Sequence, residues 1–175
     1  RCAAFVAQKA NEKRDGYAGN LYVMDAKTGE VRPMTSAGDC KSFFFQSERE
    51  ILFAAARKSE DRERKAAGEP LTVFQRLSLD GGEASEALRL PLNVTQVKPL
   101  SDGRWAVLAT YDRRMGDFFA MDEAQRRAAM DAASQEQDYQ VLEEIPYWFN
   151  GKGFIDGKRN RVMIVTPQTG EILPV

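Results

Sequence analysis

The residues best able to do chemistry in this chain of 175 sit in its second half. Glu143-Glu144 is a pair of carboxylates, and two carboxylates converging on one point can hold an ammonium group such as a peptide's free amino terminus. Neighbours on a strand point to opposite faces, so the pair also reads as a solvated strand end. Arg113-Arg114 follows Tyr111-Asp112 directly; a guanidinium there could clamp a carboxylate with two parallel hydrogen bonds, or close a sheet edge with a salt bridge. Tyr147-Trp148-Phe149 lies between Pro146 and Asn150-Gly151. Three aromatics in a row are too bulky for a bare loop, and their flanks are too rich in turn residues for a plain strand. They are either buried against a helix or form a surface on which something docks. Tyr147, Trp148 and Asn150 are therefore candidate contact residues, with Glu143, Glu144 and Arg113 beside them.

Composition limits what these groups can be part of. The chain contains no histidine, so it assembles neither a Ser-His-Asp nor a Cys-His nucleophile system, nor a His-containing zinc site. Its acidic residues are plentiful but scattered, which predicts no metal centre. Gly116, Gly151, Gly153 and Gly157 lack the strand-loop-helix setting of a phosphate cradle, and no cofactor is expected. With 25 basic and 26 acidic side chains the formal charge is −1, leaving no electrostatic footprint for nucleic acid or an anionic membrane surface. The longest apolar run, Ile51 to Ala56, is strand-sized rather than membrane-spanning. Cys2 and Cys40 are too few to staple a small secreted scaffold and read as reduced, packed thiols; a disulfide would require their strands to lie side by side. The chain opens in strand-like sequence at Arg1-Cys2-Ala3-Ala4 with no initiator Met, which reads as a piece of a longer polypeptide.

The elements that must position these groups are mostly short strands. Leu21–Asp25 and Val31–Thr35 flank a turn containing Gly29; Phe74 to Leu90 turns at Asp80-Gly81-Gly82-Glu83; Arg161 to Val175 turns at residues 166–171. A second kind of hairpin alternates with these, through Ser47-Glu48-Arg49-Glu50 and through Ser101-Asp102-Gly103-Arg104. Gly29 and Gly82 are 53 residues apart and Ser47 and Ser101 are 54 apart, one period seen at two independent landmarks and close to that of a four-stranded propeller blade. The step from Gly82 to Gly170 is 88 residues, so the third unit carries an insertion. Continuous apolar runs at 52–56 and 162–165 fit strands buried on both faces. The expected fold is all-β: a partial β-propeller of about three four-stranded blades (residues 1–38, 39–92 and 93–175), the first lacking its opening strand, with a helical insertion at about 113–147; a β-sandwich or other meander is the alternative, although a sandwich more often leaves one strand face polar. The helix is predicted over Asp122 to Gln135, started by a capping box of Asp122 and Gln125, with Ala124, Ala128 and Ala132 as a small-residue packing face. The mixed charge run Arg57 to Lys65 reads as a solvated loop.

Glu144-Ile145-Pro146-Tyr147-Trp148-Phe149-Asn150-Gly151-Lys152-Gly153-Phe154, followed by Gly157-Lys158-Arg159-Asn160-Arg161, resembles the propeller domain of the prolyl oligopeptidase family of serine peptidases. It is most similar to the bacterial acylaminoacyl-peptidase and dipeptidyl-peptidase-like members. Leu21–Glu30 and Ser101-Asp102-Gly103-Arg104 fit as well, although such hairpin phrases occur in many propellers. The resemblance implies a following α/β-hydrolase domain with a Gly-x-Ser-x-Gly nucleophile, for which the propeller serves as a cap that admits short peptides. This chain has neither that motif nor a histidine, so no catalytic residue is carried over and the chain alone is expected to hydrolyse nothing. The implied partners are the hydrolase domain of the same polypeptide and peptide substrates, in the cytoplasm, and open blade edges predict self-association. Two other readings stay open: a stand-alone propeller serving as a protein-binding scaffold, and a carbohydrate-binding module using Trp105 and Trp148. The second is disfavoured because Trp105 begins an apolar strand.

Overall fold

A computed structural model describes residues 2–11, 16–135, 148–149, 153–154 and 157–175. The chain divides into two compact units, residues 1–62 with 72–89, and residues 63–71 with 90–175.

The first unit is built on two antiparallel sheets. β1 (Cys2–Ala10), β2 (Tyr17–Asp25) and β3 (Val31–Pro33) form one in that order, and β4 (Phe43–Phe45), β5 (Glu50–Ala54), β6 (Thr72–Ser78) and β7 (Ser85–Leu90) form the other. The turn from β2 to β3 is set locally: Asp25 Oδ1 accepts from the amides of Lys27 (2.7 Å) and Thr28 (3.1 Å), and Gly29 takes the left-handed φ of +73° that closes it. β2 alternates, burying Leu21 and Val23, whereas Ile51, Leu52 and Phe53 of β5 are buried in succession, the pattern of a strand covered on both faces. Leu21 and Val23 share one core with Cys40, Ile51, Phe53, Ala55, Leu77 and Leu79. Where the chain enters the second sheet, Gly19 and Cys40 meet backbone to backbone. The Gly19 amide donates to the Gly38 carbonyl and the Cys40 amide to the Gly19 carbonyl, each at 3.0 Å.

Two expectations for this region are overturned. The charge run is not a loop but carries a helix, α1 (Ser59–Ala66). Glu60 and Asp61 stand in its first turn and Arg64 and Lys65 in its last, so each sign lies at the helix end whose dipole it stabilises. Asp61 is buried and held by the Arg89 guanidinium of β7. The two cysteines also differ from each other: Cys40 is packed in the core, but Cys2 is exposed on β1, and both are free thiols.

In the second unit β8 (Asn93–Pro99), β9 (Trp105–Asp112), β12 (Lys158–Thr166) and β13 (Glu171–Pro174) form an antiparallel sheet in the order β13-β12-β9-β8. β9 and β12 are direct neighbours, running in register from Asp112↔Lys158 to Trp105↔Val165. The connection between them holds two 3-10 turns, then α2 (Glu123–Gln135), β10 (Trp148–Phe149) and β11 (Gly153–Phe154). Trp105, Val107, Ala109, Met163 and Val165 are buried, and Trp105 is an interior residue as expected. β12 departs from expectation: Met163 and Val165 are buried, while Val162 is exposed, so it alternates rather than being covered on both faces. The capping box of α2 forms in both directions, with the Gln125 amide donating to Asp122 Oδ1 (2.8 Å) and the Asp122 amide to Gln125 Oε1 (2.9 Å). Its packing face is not the expected one. Ala124, Ala128 and Ala132 are exposed, and the sheltered stripe runs through Arg126, Ala129, Met130 and Ala133.

Candidate functional site

The second unit gathers polar groups where β9 ends and the insertion begins. Asp112, the last residue of β9, caps the 3-10 turn Arg113–Met115 by accepting from the Arg114 amide at 3.0 Å. The same carboxylate accepts from the Arg114 guanidinium, Nε to Oδ1 at 3.1 Å and Nη2 to Oδ2 at 2.7 Å. Burial works to raise the Asp112 carboxyl, but the Arg114 side-chain and backbone hydrogen bonds, helped by the positive charges of Arg114 and Lys158, outweigh it and hold the group below the usual carboxylate range. Arg114 thus makes a local salt bridge to Asp112, two residues away at the end of β9, which is an inner strand and not an edge of its sheet.

The insertion is tied down at its root. Arg126 of α2 donates to the carbonyls of Phe118 and Phe119, both at 3.2 Å, and its guanidinium stands 5.6 Å over the Phe118 ring. Arg161 of β12 reaches Asp117 (3.2 Å) while lying 5.5 Å over the Tyr111 ring. With α2 held in this way, a cavity of about 220 Å³ opens against the sheet end, lined among others by Asn93, Thr110, Asp112, Arg114, Met130 and Lys158. Its wall is mixed: two cations and a carboxylate, amide and hydroxyl groups, and methionine side chains. Such a lining can orient a small polar group against an apolar surface. Among the described residues no set of three His, Cys, Asp or Glu side chains is placed to hold a metal ion.

Of the residues singled out from sequence, Arg113 is exposed on the first 3-10 turn, its amide directed at the Gly157 carbonyl (3.4 Å). Trp148 lies in the small hairpin, paired with Phe154, and is 52% exposed. Glu143, Glu144, Tyr147 and Asn150 lie outside the described residues. Sequence reasoning missed Asn93, Thr110 and Lys158 as cavity residues. The pairing Asp112↔Lys158 that makes them neighbours spans the whole insertion, and the clue to it was the equivalence of the strands on either side of that insertion.

No protein-family model matches the chain. An uncharacterised peptidase, YuxL, of Bacillus subtilis (strain 168) is 25% identical over 175 residues, matching 97% of this chain and 23% of its own length. Among solved structures, an acylaminoacyl peptidase in complex with Z-Gly-Gly-Phe-chloromethyl ketone aligns with 98% of this chain and 22% of its own, at 17% identity and a TM-score of 0.63. Pyrococcus horikoshii acylaminoacyl peptidase in its orthorhombic crystal form aligns over the same shares at 16% identity and a TM-score of 0.62. At these identities the structural likeness is one of fold. The resemblance drawn from the aromatic segment thus leads to the same kind of protein as the comparisons, and the chain spans about a quarter of the length of these relatives. Among the described residues no helix is long and apolar enough to cross a membrane.

Proposed function

We propose that this chain is the non-catalytic propeller portion of a peptidase of the prolyl oligopeptidase kind, capping the active-site cleft of a hydrolase domain in the same cytoplasmic polypeptide and admitting only short peptides. The observation that carries the reading is the repeated sheet. β4 to β7 form one four-stranded antiparallel sheet in which sequence order is spatial order, and β8, β9, β12 and β13 form another. A radial array of such sheets is a propeller, and a rigid ring over a cleft filters by size and keeps bulk water from the reaction. The fold likeness to acylaminoacyl peptidase supports the same assignment. The chain's own part in this is selection and docking. The insertion, rooted at Asp112–Arg114 and carrying exposed Trp148, supplies contacts to the hydrolase domain or to the peptide, with Tyr147, Asn150, Glu143, Glu144 and Arg113 as the further candidates.

The test compares the full polypeptide with this chain on chromogenic peptide esters of increasing length. Activity confined to the full polypeptide and falling steeply with peptide length is the expected outcome. A full polypeptide that cleaves long, folded and short substrates alike would overturn the filter. In the full polypeptide, Trp148→Ala is expected to change KM or peptide-length preference by several-fold; unchanged activity, preference and domain packing would remove Trp148 from the contact set.

A further inference from the structure

The cavity of about 220 Å³ against the end of the β13-β12-β9-β8 sheet lies wholly within the second unit, since every residue lining it falls in 63–71 or 90–175. Its floor is one face of the sheet. Asn93 of β8 stands opposite Thr110 of β9, Asp112 follows two residues along β9, and Lys158 of β12 stands opposite Asp112. Residues two apart on a strand, and residues paired across strands, share a face, so these four side chains rise from the same side. The facing wall is largely apolar. Met130 and Ala133 of α2, three residues apart and so on one side of the helix, join Met115 of the first 3-10 turn and Pro70.

The polar groups of the floor are not equivalent. Both oxygens of Asp112 are engaged by Arg114, Oδ1 by the amide and Nε and Oδ2 by Nη2, so this carboxylate is a poor anchor for a further cation. The Asn93 side-chain amide and the Thr110 hydroxyl, by contrast, have no hydrogen-bond partner among the described residues. Both residues are half-buried, and each can donate. Lys158 adds a full positive charge beside them. The surroundings carry the same sign. β12 begins Lys158-Arg159-Asn160-Arg161 and β9 runs out into Arg113-Arg114, against which stand only the carboxylates of Asp112 and Asp117 in these stretches. Such a site attracts an anion and repels a cation. The volume sets the size of what it carries. A cavity of about 150 Å³ holds benzene, so about 220 Å³ holds about nine non-hydrogen atoms.

We propose that this cavity binds a small free carboxylic acid with an aliphatic body and no amino group. Its carboxylate accepts from Thr110, Asn93 and Lys158, and its chain lies against Met115, Met130 and Pro70. An α-amino acid is disfavoured because its ammonium would meet Lys158 and Arg114 with Asp112 already committed. The same carboxylate chemistry is borne by the last residue of a peptide, but the cavity has room for a body of about one residue. The inference goes beyond the peptidase reading and does not depend on it, since it uses only walls that belong to the second unit.

Titration calorimetry of the full polypeptide with isocaproate, which is leucine without its amino group, tests it. The expected dissociation constant at neutral pH is about 1 mM or tighter, with leucine and the uncharged isocaproamide each weaker by about tenfold or more. Thr110→Val and Lys158→Met should each weaken isocaproate by about tenfold or more, the size of a lost hydrogen bond or charge at a carboxylate. Thr110→Val removes a hydroxyl that has no partner among the described residues, so its urea midpoint should match that of the unaltered polypeptide. No heat of binding up to about 10 mM isocaproate would overturn the proposal. Isocaproate held equally well by both variants would place the acid elsewhere in the polypeptide and overturn the site. Leucine or isocaproamide binding as tightly as isocaproate would overturn the assigned chemistry. Gly-Gly-Leu binding about tenfold more tightly than isocaproate would give the cavity to the carboxyl ends of peptides and overturn the free acid.

Discussion

Replacing Gly19 by Ala tests whether the meeting of β2 with the Cys40 backbone holds the first unit together. A Cβ at this position would stand 2.1 Å from the Cys40 carbonyl oxygen, whereas carbon and oxygen approach no closer than about 3.3 Å without strain. The backbone must therefore open by about 1 Å, and the atoms in its way are main chain, which cannot swing aside. Two hydrogen bonds of 3.0 Å, Gly19 N to Gly38 O and Cys40 N to Gly19 O, are lost or stretched, at about 1 kcal/mol each. Cys40 is fully buried in the core shared with Leu21, Ile51 and Phe53, so moving it disturbs packing by a further 1–3 kcal/mol, roughly. The total is about 3–5 kcal/mol. Gly29→Ala is the control: Gly29 has positive φ but open space around it, so only the left-handed backbone is penalised, by about 1–2 kcal/mol. Urea unfolding followed by far-ultraviolet circular dichroism should place the Gly19→Ala midpoint well below that of Gly29→Ala. Equal midpoints would refute the argument from close approach.

The remaining predictions concern charge and thiol chemistry. Asp112→Asn should lower stability by about 1–3 kcal/mol at pH 7, through the lost charge-assisted bonds to Arg114. Because the folded carboxyl lies below its unfolded value of about 3.9, that stabilisation is present above this pH and is lost as pH falls through the folded pKa. Urea midpoints of the two proteins should therefore converge in strong acid; a constant gap would refute the assignment. Arg89→Ala should cost about 3–5 kcal/mol, since it strips the buried Asp61 of its partner. Asp61→Ala should cost less, because Arg89 is partly exposed and keeps Glu86; urea midpoints in the reverse order would contradict this. At pH 8 a disulfide reagent should label one thiol per folded chain, at Cys2. Cys40 is buried and its pKa is pushed up to about 11 by burial and the nearby Asp39 charge; two equally fast thiols would be inconsistent with its packing.

The turns were legible because their chemistry is local. Asp25 with Gly29, and the four residues from Ser101, close hairpins using groups a few positions apart. The start of α2 was legible for the same reason, since Asp122 and Gln125 satisfy each other. α1 was not legible, because it has no apolar stripe. Its anchor is an ion pair to Arg89, 28 residues away from Asp61, and no periodicity reports a partner at that distance. The packing face of α2 was misread because alanine tolerates either environment, so its spacing says little about which side is covered. Met130 and the stem of Arg126 mark the sheltered side. The cavity was hidden for a topological reason: Asp112 and Lys158 become neighbours only when β9 and β12 pair around everything between them.

That pairing also sets the order in which the sheet can assemble. β8 and β9 are joined by a turn at residues 100–104, and β12 and β13 by one at 167–170, so each hairpin can zip on the microsecond scale. Joining them requires closing residues 113–157 into a loop. Compared with a five-residue turn this costs about 2 kcal/mol of closure entropy, because the penalty grows only with the logarithm of length. Two consequences follow. The β9–β12 seam is the least local pairing of the second unit and is expected to form after the pairings within each hairpin. The same logarithm makes the seam lenient about what hangs from it, so segments of very different length can be exchanged there at little energetic cost, without rebuilding the sheet that carries them.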